Sequence, residues 1–257
     1  MFRFDIYESN RNEELPEKVS FFKDFIISKG GVFDSSRPDI VFVFGGDGSL
    51  LNAIKIHSAH LTSFMLINAG TLGFYREYDL NELDKFYKEF DFDKLVREEH
   101  KLLEIDDIYG NKAFAVNEVM LASSIKTLDF NVYVNDKYLM EVKGSGICIA
   151  TPFGSSGYNH SLGASLLVGN KGMILSLLAP IHNKAIHPLI NSIVIQDNDS
   201  IRLEVKNDVH FELAGDMKFL DNLQGNSFTI SKSNRSFYLA HTKVQDEYQR
   251  IRQSFVD

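Results

Sequence analysis

Asp47 stands among Gly45, Gly46 and Gly48, and this is where phosphoryl-transfer chemistry could be built. Three glycines in four positions let main-chain N–H groups approach a bound anion with no Cβ in the way. Asp47 is the only charged side chain of the turn, so the pattern offers one proton acceptor beside a phosphate cradle. A helix expected from about Ser49 to Ser58 would aim its positive dipole end at the same spot, favouring phosphate and keeping Asp47 ionised. The pattern also suits a plain strand-turn-helix corner in which Asp47 caps the helix. No Gly-Lys-Ser/Thr run follows a glycine loop, so there is no Walker-type lysine.

Three further groups bear on the choice. Asn68 to Phe74 carries Gly70 and Gly73 at the end of an expected strand, the place where ligands bind in open α/β sheets; Leu72 and Phe74 there also suit inward packing. Asn117 and Glu118 interrupt an apolar strand expected over 113–122. A buried carboxylate costs several kcal/mol unless it finds donors, and a carboxamide beside a carboxylate suits a purine edge and ribose hydroxyls. The third group runs from Lys143 to Ser161: Thr151, Ser155, Ser156 and Ser161 bring hydroxyls, Gly154 and Gly157 permit close main-chain approach, and Tyr158 adds an aromatic face with a polar tip. His160 next to Ser161 in sequence is no evidence of a nucleophile paired with a base.

These residues must be positioned by two kinds of architecture. Phe2, Phe4 and Ile6 alternate with polar neighbours as in a strand, and Leu15, Val19, Phe22 and Ile26 recur at helical spacing until Gly30 and Gly31. An apolar strand over 39–44, the Asp47 turn, a helix and another strand over 63–67 complete a strand-helix alternation. Asp79 to Glu82 resembles a capping box opening a helix that ends near Phe90. After about residue 98 the pattern becomes short strands over 102–108, 113–122, 130–134, 138–142, 147–150, 192–195, 201–205, 210–213 and 227–230, with turn residues such as Asn135-Asp136 between them. The expected fold is an α/β N-terminal domain with a small parallel sheet over 1–97, plus an all-β antiparallel C-terminal domain over 98–231. A terminal segment, 232–257, holds a possible strand at 238–240 and a polar helix at 245–255 with Tyr248, Ile251 and Phe255 on one side, and is expected to pack back on the first domain.

Composition narrows the partners. The chain has 257 residues, 44% of them hydrophobic, and a formal net charge of -8; a nucleic-acid scaffold or a binder of anionic membranes needs cationic surface instead. No stretch approaches the roughly 20 apolar residues of a membrane span, and the N-terminus has neither a basic nor an apolar leader pattern. A single cysteine, Cys148, flanked by Ile147 and Ile149, reads as a buried inert thiol in a reducing cytoplasm. The eight histidines show no metal-ligand spacing, so no protein metal site is expected.

Taken in this order and at these spacings, the four motifs resemble the NAD kinase family, with the resemblance running from about residue 38 to the C-terminus. Gly45-Gly46-Asp47-Gly48 alone is shared with the wider superfamily of 6-phosphofructokinases and diacylglycerol or sphingosine kinases. The other three motifs make the match specific. The resemblance implies phosphorylation of the 2′-hydroxyl of the adenosine ribose of NAD to give NADP, with ATP as donor and a divalent cation (Mg2+) carried by the nucleotide. It implies a homodimer or homotetramer, and no nucleic-acid or membrane partner. By position, Asp47 would take or orient the hydroxyl proton, Asn117 and Glu118 would hold the ribose hydroxyls and adenine, and Gly46, Gly48, Leu72 and Phe74 would line the pocket. Thr151, Ser156, Gly157, Tyr158 and Ser161 would contact the dinucleotide, partly from a neighbouring subunit. Lys143 and Ser145 fall where the family commonly has Arg-Gly-Asp-Gly, whose carboxylate meets the nicotinamide end. Phe153 and Gly157 replace a usual small hydroxyl residue and a usual alanine, and Asp216 receives no role. Inorganic polyphosphate as donor, NADH as acceptor, a kinase for a lipid or sugar hydroxyl, and a non-catalytic dinucleotide sensor are the alternatives left by the sequence.

Overall fold

Aromatic side chains at period two and period 3.6 meet in the first half of the chain. Phe42 and Phe44 project from one face of the strand Ile40–Gly45, and Phe22 of the helix Leu15–Ser28 packs with its ring 4.9 Å from Phe42 and 5.0 Å from Phe44. Phe86, from the helix Leu83–Glu89, stacks on Phe22 at 4.9 Å. The helical stripe read from sequence, Leu15, Val19, Phe22 and Ile26, is the buried one.

The computed structural model describes residues 1–8, 15–57, 61–70, 73–216 and 218–256. Leu72 therefore lies outside the described residues. Contacts divide the chain into two units, residues 1–100 with 235–257, and residues 101–234. The chain crosses from one to the other within the strands Val96–Asp107 and Ser227–His241.

In the first unit the strands Gly31–Phe33, Phe2–Glu8, Ile40–Gly45 and Ser63–Asn68 lie side by side, all parallel. The far edge of Ser63–Asn68 is shared by Arg76–Asp79 and by Tyr238–Leu239, again parallel. Every residue of the strands Ile40–Gly45 and Ser63–Asn68 is buried, as expected for a sheet covered on both faces. The helix Asp47–His57 buries Leu50, Ala53 and Ile54 against these strands. It begins two residues earlier than the sequence reading placed it, because the Gly46 carbonyl already accepts from the Ser49 and Leu50 N–H groups at 2.9 and 3.0 Å.

The second unit is antiparallel. One set of strands runs Lys137–Gly144, Leu128–Val134, Ser200–Val205 and the start of Ser227–His241, with Lys112–Ala115 paired to Val96–Asp107. A six-stranded sheet runs Ile193–Ile195, Met173–Leu178, Gly146–Ala150, Glu118–Ala122, Glu212–Gly215 and Lys218–Phe219. Leu103, Val119, Leu121, Phe130, Ile149 and Leu203 belong to one apolar cluster drawn from both. Asn135 and Asp136, with φ of 50° and 58°, make the tight turn their residue types suggested.

Three sequence expectations need correction. The strand expected over 113–122 is two strands in different sheets, Lys112–Ala115 and Glu118–Ala122. Met173–Leu178, which the sequence reading passed over, is a wholly buried strand. The segments 227–230 and 238–240 are parts of one 15-residue strand.

Candidate functional site

The candidate residues fall into two groups, one in each unit. In the first, Asp47 opens the helix Asp47–His57 at the carboxyl end of a fully buried strand. Its carboxylate is turned to the loop after the neighbouring strand: Oδ2 accepts from the Phe74 N–H at 2.8 Å and Oδ1 from the Tyr75 N–H at 3.1 Å. A helix cap is therefore not its task. Burial pushes the Asp47 carboxyl up from its ordinary range, and the two amides, Arg250 and Arg76 pull it only part of the way back. The group the sequence presented as an ordinary ionised carboxylate thus has raised proton affinity, because strand and loop take it out of water.

The loop is itself braced. The Asn68 side chain, 4% exposed, donates to Asp79 Oδ1 at 2.8 Å and to the Gly70 carbonyl at 3.2 Å, and accepts from the Gly70 N–H. Arg76 reaches the Gly73 carbonyl at 3.3 Å and Asp79 at 3.5 Å. The sequence assigns no site role to Asn68, Arg76 or Asp79, although Asn68 belongs to a motif and Asp79 to the capping box; a polar side chain at the end of an apolar strand is the signal for Asn68. Phe74 is half-buried, its ring 4.8 Å from Tyr75 and 5.6 Å from Phe255. Gly46 is half-buried, and Gly48 is exposed, with nothing within 4 Å of where a Cβ would stand. The fold itself does not require glycine at 48. Beside the loop lies a cleft of about 460 Å³ lined in part by Gly73, Phe74, Arg76, Gln249 and Arg250.

The second group is organised by the point where the chain changes sheets. Asp216 accepts from the Val116 N–H at 2.9 Å and the Asn117 N–H at 2.6 Å. Thr151 donates its hydroxyl to the Val116 carbonyl at 2.9 Å and its N–H to the Asn117 carbonyl at 2.8 Å. With these groups spoken for, residues 116 and 117 leave the ladder and the strand breaks. Gly154 lies so close that a Cβ would stand 2.1 Å from the Asn117 carbonyl oxygen, so only glycine fits there.

This arrangement leaves Asn117 Oδ1 buried with no hydrogen-bond partner among the described residues. Glu118 is 6% exposed, and its charge, after burial itself, helps push the buried Cys148 thiol up to about 12. The Thr151 hydroxyl, offered to a ligand by the sequence reading, is instead internal: besides its donation it accepts from the Gly154 N–H at 2.9 Å. Ser156 is half-buried, while Gly157, Tyr158 and Ser161 are exposed around the short helix Tyr158–Ser161. Asn159, missed from sequence, is fully buried; it donates to the Ser155 and Ser165 carbonyls and accepts from the Ser176 hydroxyl at 2.8 Å.

Lys143 and Ser145 do not join this group. They precede the strand Gly146–Ala150, whereas Thr151 follows it and Ala150 pairs with Glu118, so roughly 20 Å of extended chain separates Ser145 from Thr151. Lys143 Nζ lies 2.9 Å from Asp129 Oδ2.

The ATP-NAD kinase C-terminal domain family matches residues 116–242. The chain is 31% identical to an NAD kinase of Lactobacillus helveticus over 89% of its own length and 87% of that protein. It is also 31% identical to an NAD kinase of Finegoldia magna, with 83% and 82% covered. Among solved structures, an Archaeoglobus fulgidus NAD kinase in complex with ATP aligns over 98% of both chains with a TM-score of 0.75 at 17% identity. A yeast NADH kinase complexed with NADH aligns with a TM-score of 0.77 at 15% identity, over 98% of this chain and 87% of that one.

Proposed function

This chain belongs to the NAD kinase family, and from that premise we infer that it transfers the γ-phosphoryl group of ATP to the 2′-hydroxyl of the adenosine ribose of NAD, giving NADP and ADP. The observation that carries the assignment of Asp47 is its carboxylate, held by the Phe74 and Tyr75 amides with raised proton affinity. Transfer of a phosphoryl group passes through a loose transition state, so alignment and charge neutralisation do most of the work. As the ribose oxygen bonds to phosphorus and the bond to the ADP oxygen breaks, the hydroxyl proton passes to Asp47. A carboxyl of raised proton affinity is better matched to that step than an ordinary one. Gly46 and Gly48 keep the approach to Asp47 clear of side chains, and Phe74 gives the pocket an apolar wall.

Asn117 and Glu118 hold the adenine and ribose hydroxyls in this reading. The unsatisfied Asn117 Oδ1 supports it, since a buried acceptor without a donor is costly and an adenine amine supplies one. Ser156, Gly157, Tyr158 and Ser161 complete the dinucleotide contacts, with Thr151 holding the main chain beneath them. A divalent cation arriving on the triphosphate would neutralise phosphate charge. We place the activity in a homo-oligomer working in the cytoplasm. Among the described residues, no helix is long and apolar enough to cross a membrane.

The test is to incubate the protein with NAD, ATP and magnesium and assay NADP. Dinucleotide binding without NADP formation would identify a sensor. ATP consumption driven only by a lipid or sugar alcohol would identify a different kinase.

A further inference from the structure

The C-terminal helix, Glu247–Phe255, buries no residue, yet two of its side chains rest on the loop that holds the reacting carboxyl. The Arg250 guanidinium carbon lies 5.8 Å from the Phe74 ring centre and 5.4 Å from that of Tyr75. The Phe255 ring lies 5.6 Å from Phe74. Phe74 and Tyr75 are the residues whose N–H groups donate to Asp47. Resting on the kinase reading above, we propose that Arg250 is the positioning residue of Asp47, acting through the Phe74–Tyr75 step on which its guanidinium lies.

Two properties of Arg250 matter. Its guanidinium carbon lies within cation–π reach of both ring centres, and its extended, forked shape is one that a lysine ammonium lacks; steadying these two side chains would steady the amides beside them. Its charge favours the carboxylate form of Asp47. The other charged group acting there is Arg76, from the strand Arg76–Asp79, and that guanidinium is already engaged with Asp79 and the Gly73 carbonyl. Arg250 also lines the cleft beside the loop; its field reaches the half-buried Glu98 and the buried His241 as well.

The experiment compares the full-length wild type with Arg250→Gln and Arg250→Lys. The Asp47 carboxyl is titrated directly by carbon-13 NMR of aspartate-labelled protein, its signal assigned by its loss in Asp47→Asn. In Arg250→Gln the midpoint should move to higher pH, because a nearby cation has gone. The acidic limb of kcat/KM for NAD should move the same way, with KM for NAD and ATP within about twofold of wild type and kcat lower by about tenfold or more. Arg250→Lys should keep the wild-type midpoint yet still lose kcat, and it carries the test if the glutamine variant does not fold. The proposal is overturned by an unmoved Asp47 midpoint in folded Arg250→Gln, by full kcat in Arg250→Lys, or by a raised KM for ATP with an unmoved acidic limb, which would make Arg250 a donor contact. If the wild type forms no NADP the kinase reading fails, and the NMR titration still decides whether Arg250 governs Asp47.

Discussion

Asp216 accepts the main-chain N–H of Asn117 at 2.6 Å across 99 positions of sequence. It also accepts from Val116, and its own N–H donates to the Glu118 carbonyl at 3.1 Å. One residue thus grips the chain on both sides of Asn117 where it changes sheets. Asp216 has φ of 50°, a conformation that Asp and Asn tolerate better than most residues.

Asp216→Asn keeps that conformational tolerance and removes the charge, so it isolates the hydrogen bonds. We expect a loss of stability of about 1.5–3 kcal/mol, the scale of hydrogen bonds to a charged group, together with weaker NAD binding. Denaturant unfolding and calorimetry check the two effects. Unchanged NAD affinity would detach Asp216 from the dinucleotide site.

Asp47→Asn should lower turnover by about 10² to 10⁴, the usual scale for losing a general base, while NAD affinity stays near wild type. The amide cannot accept the proton and would also turn one N–H group toward the loop amides. NADP formation is the measurement, and near-wild-type turnover would remove Asp47 from the reaction.

Gly48→Ala separates fold from chemistry. Gly48 lies exposed in the first turn of the helix Asp47–His57 with open space around it, so alanine should leave stability unchanged or raise it by up to about 1 kcal/mol. If donor phosphate approaches the main chain there, turnover should still fall on the order of 10- to 100-fold through misplacement. A thermal melt run beside the NADP assay decides; equal activity would mean that no ligand comes near.

His241 supplies a pH dependence. Its Nδ1 lies 2.7 Å from Glu77 Oε2, with side chains 4% and 2% exposed. Burial pushes the imidazole down, but Glu77 and Glu98 outweigh it and hold its pKa above the ordinary value. A raised pKa in the folded state stabilises fully below the unfolded value of about 6.5 and is lost as pH rises through the folded value. The melting temperature should therefore fall across that window in the wild type and fall less in His241→Gln. Melts at a series of pH values test this, and equal slopes would dismiss the pair as a pH-sensitive support.

Where local periodicity sets the structure, the sequence was legible. Leu15, Val19, Phe22 and Ile26 mark the buried face of their helix, and the apolar run at Ile40–Gly45 is a strand covered on both faces, because each pattern reflects how a single element meets the core. The break at Val116 and Asn117 was not legible. It is made by Asp216 and Thr151, distant in sequence, and a strand interrupted by a remote carboxylate looks continuous in one dimension. Thr151 looked like a ligand contact for the same reason: a hydroxyl is visible in sequence, but its acceptor is not.

The amino-acid sequence by itself determined the strongly periodic elements, such as the helix Leu15–Ser28 and the strand Ile40–Gly45, and the acidic character of the chain, since these follow from side-chain type and near-neighbour spacing. Only the tertiary structure decided what the candidate residues face: that Asp47 meets two amides of a following loop rather than those of its own helix, that Asn117 keeps a buried oxygen unpaired, and that Thr151 is internal. Hydrogen bonding and desolvation depend on distances in space, and chain folding sets these between residues that sequence order leaves far apart.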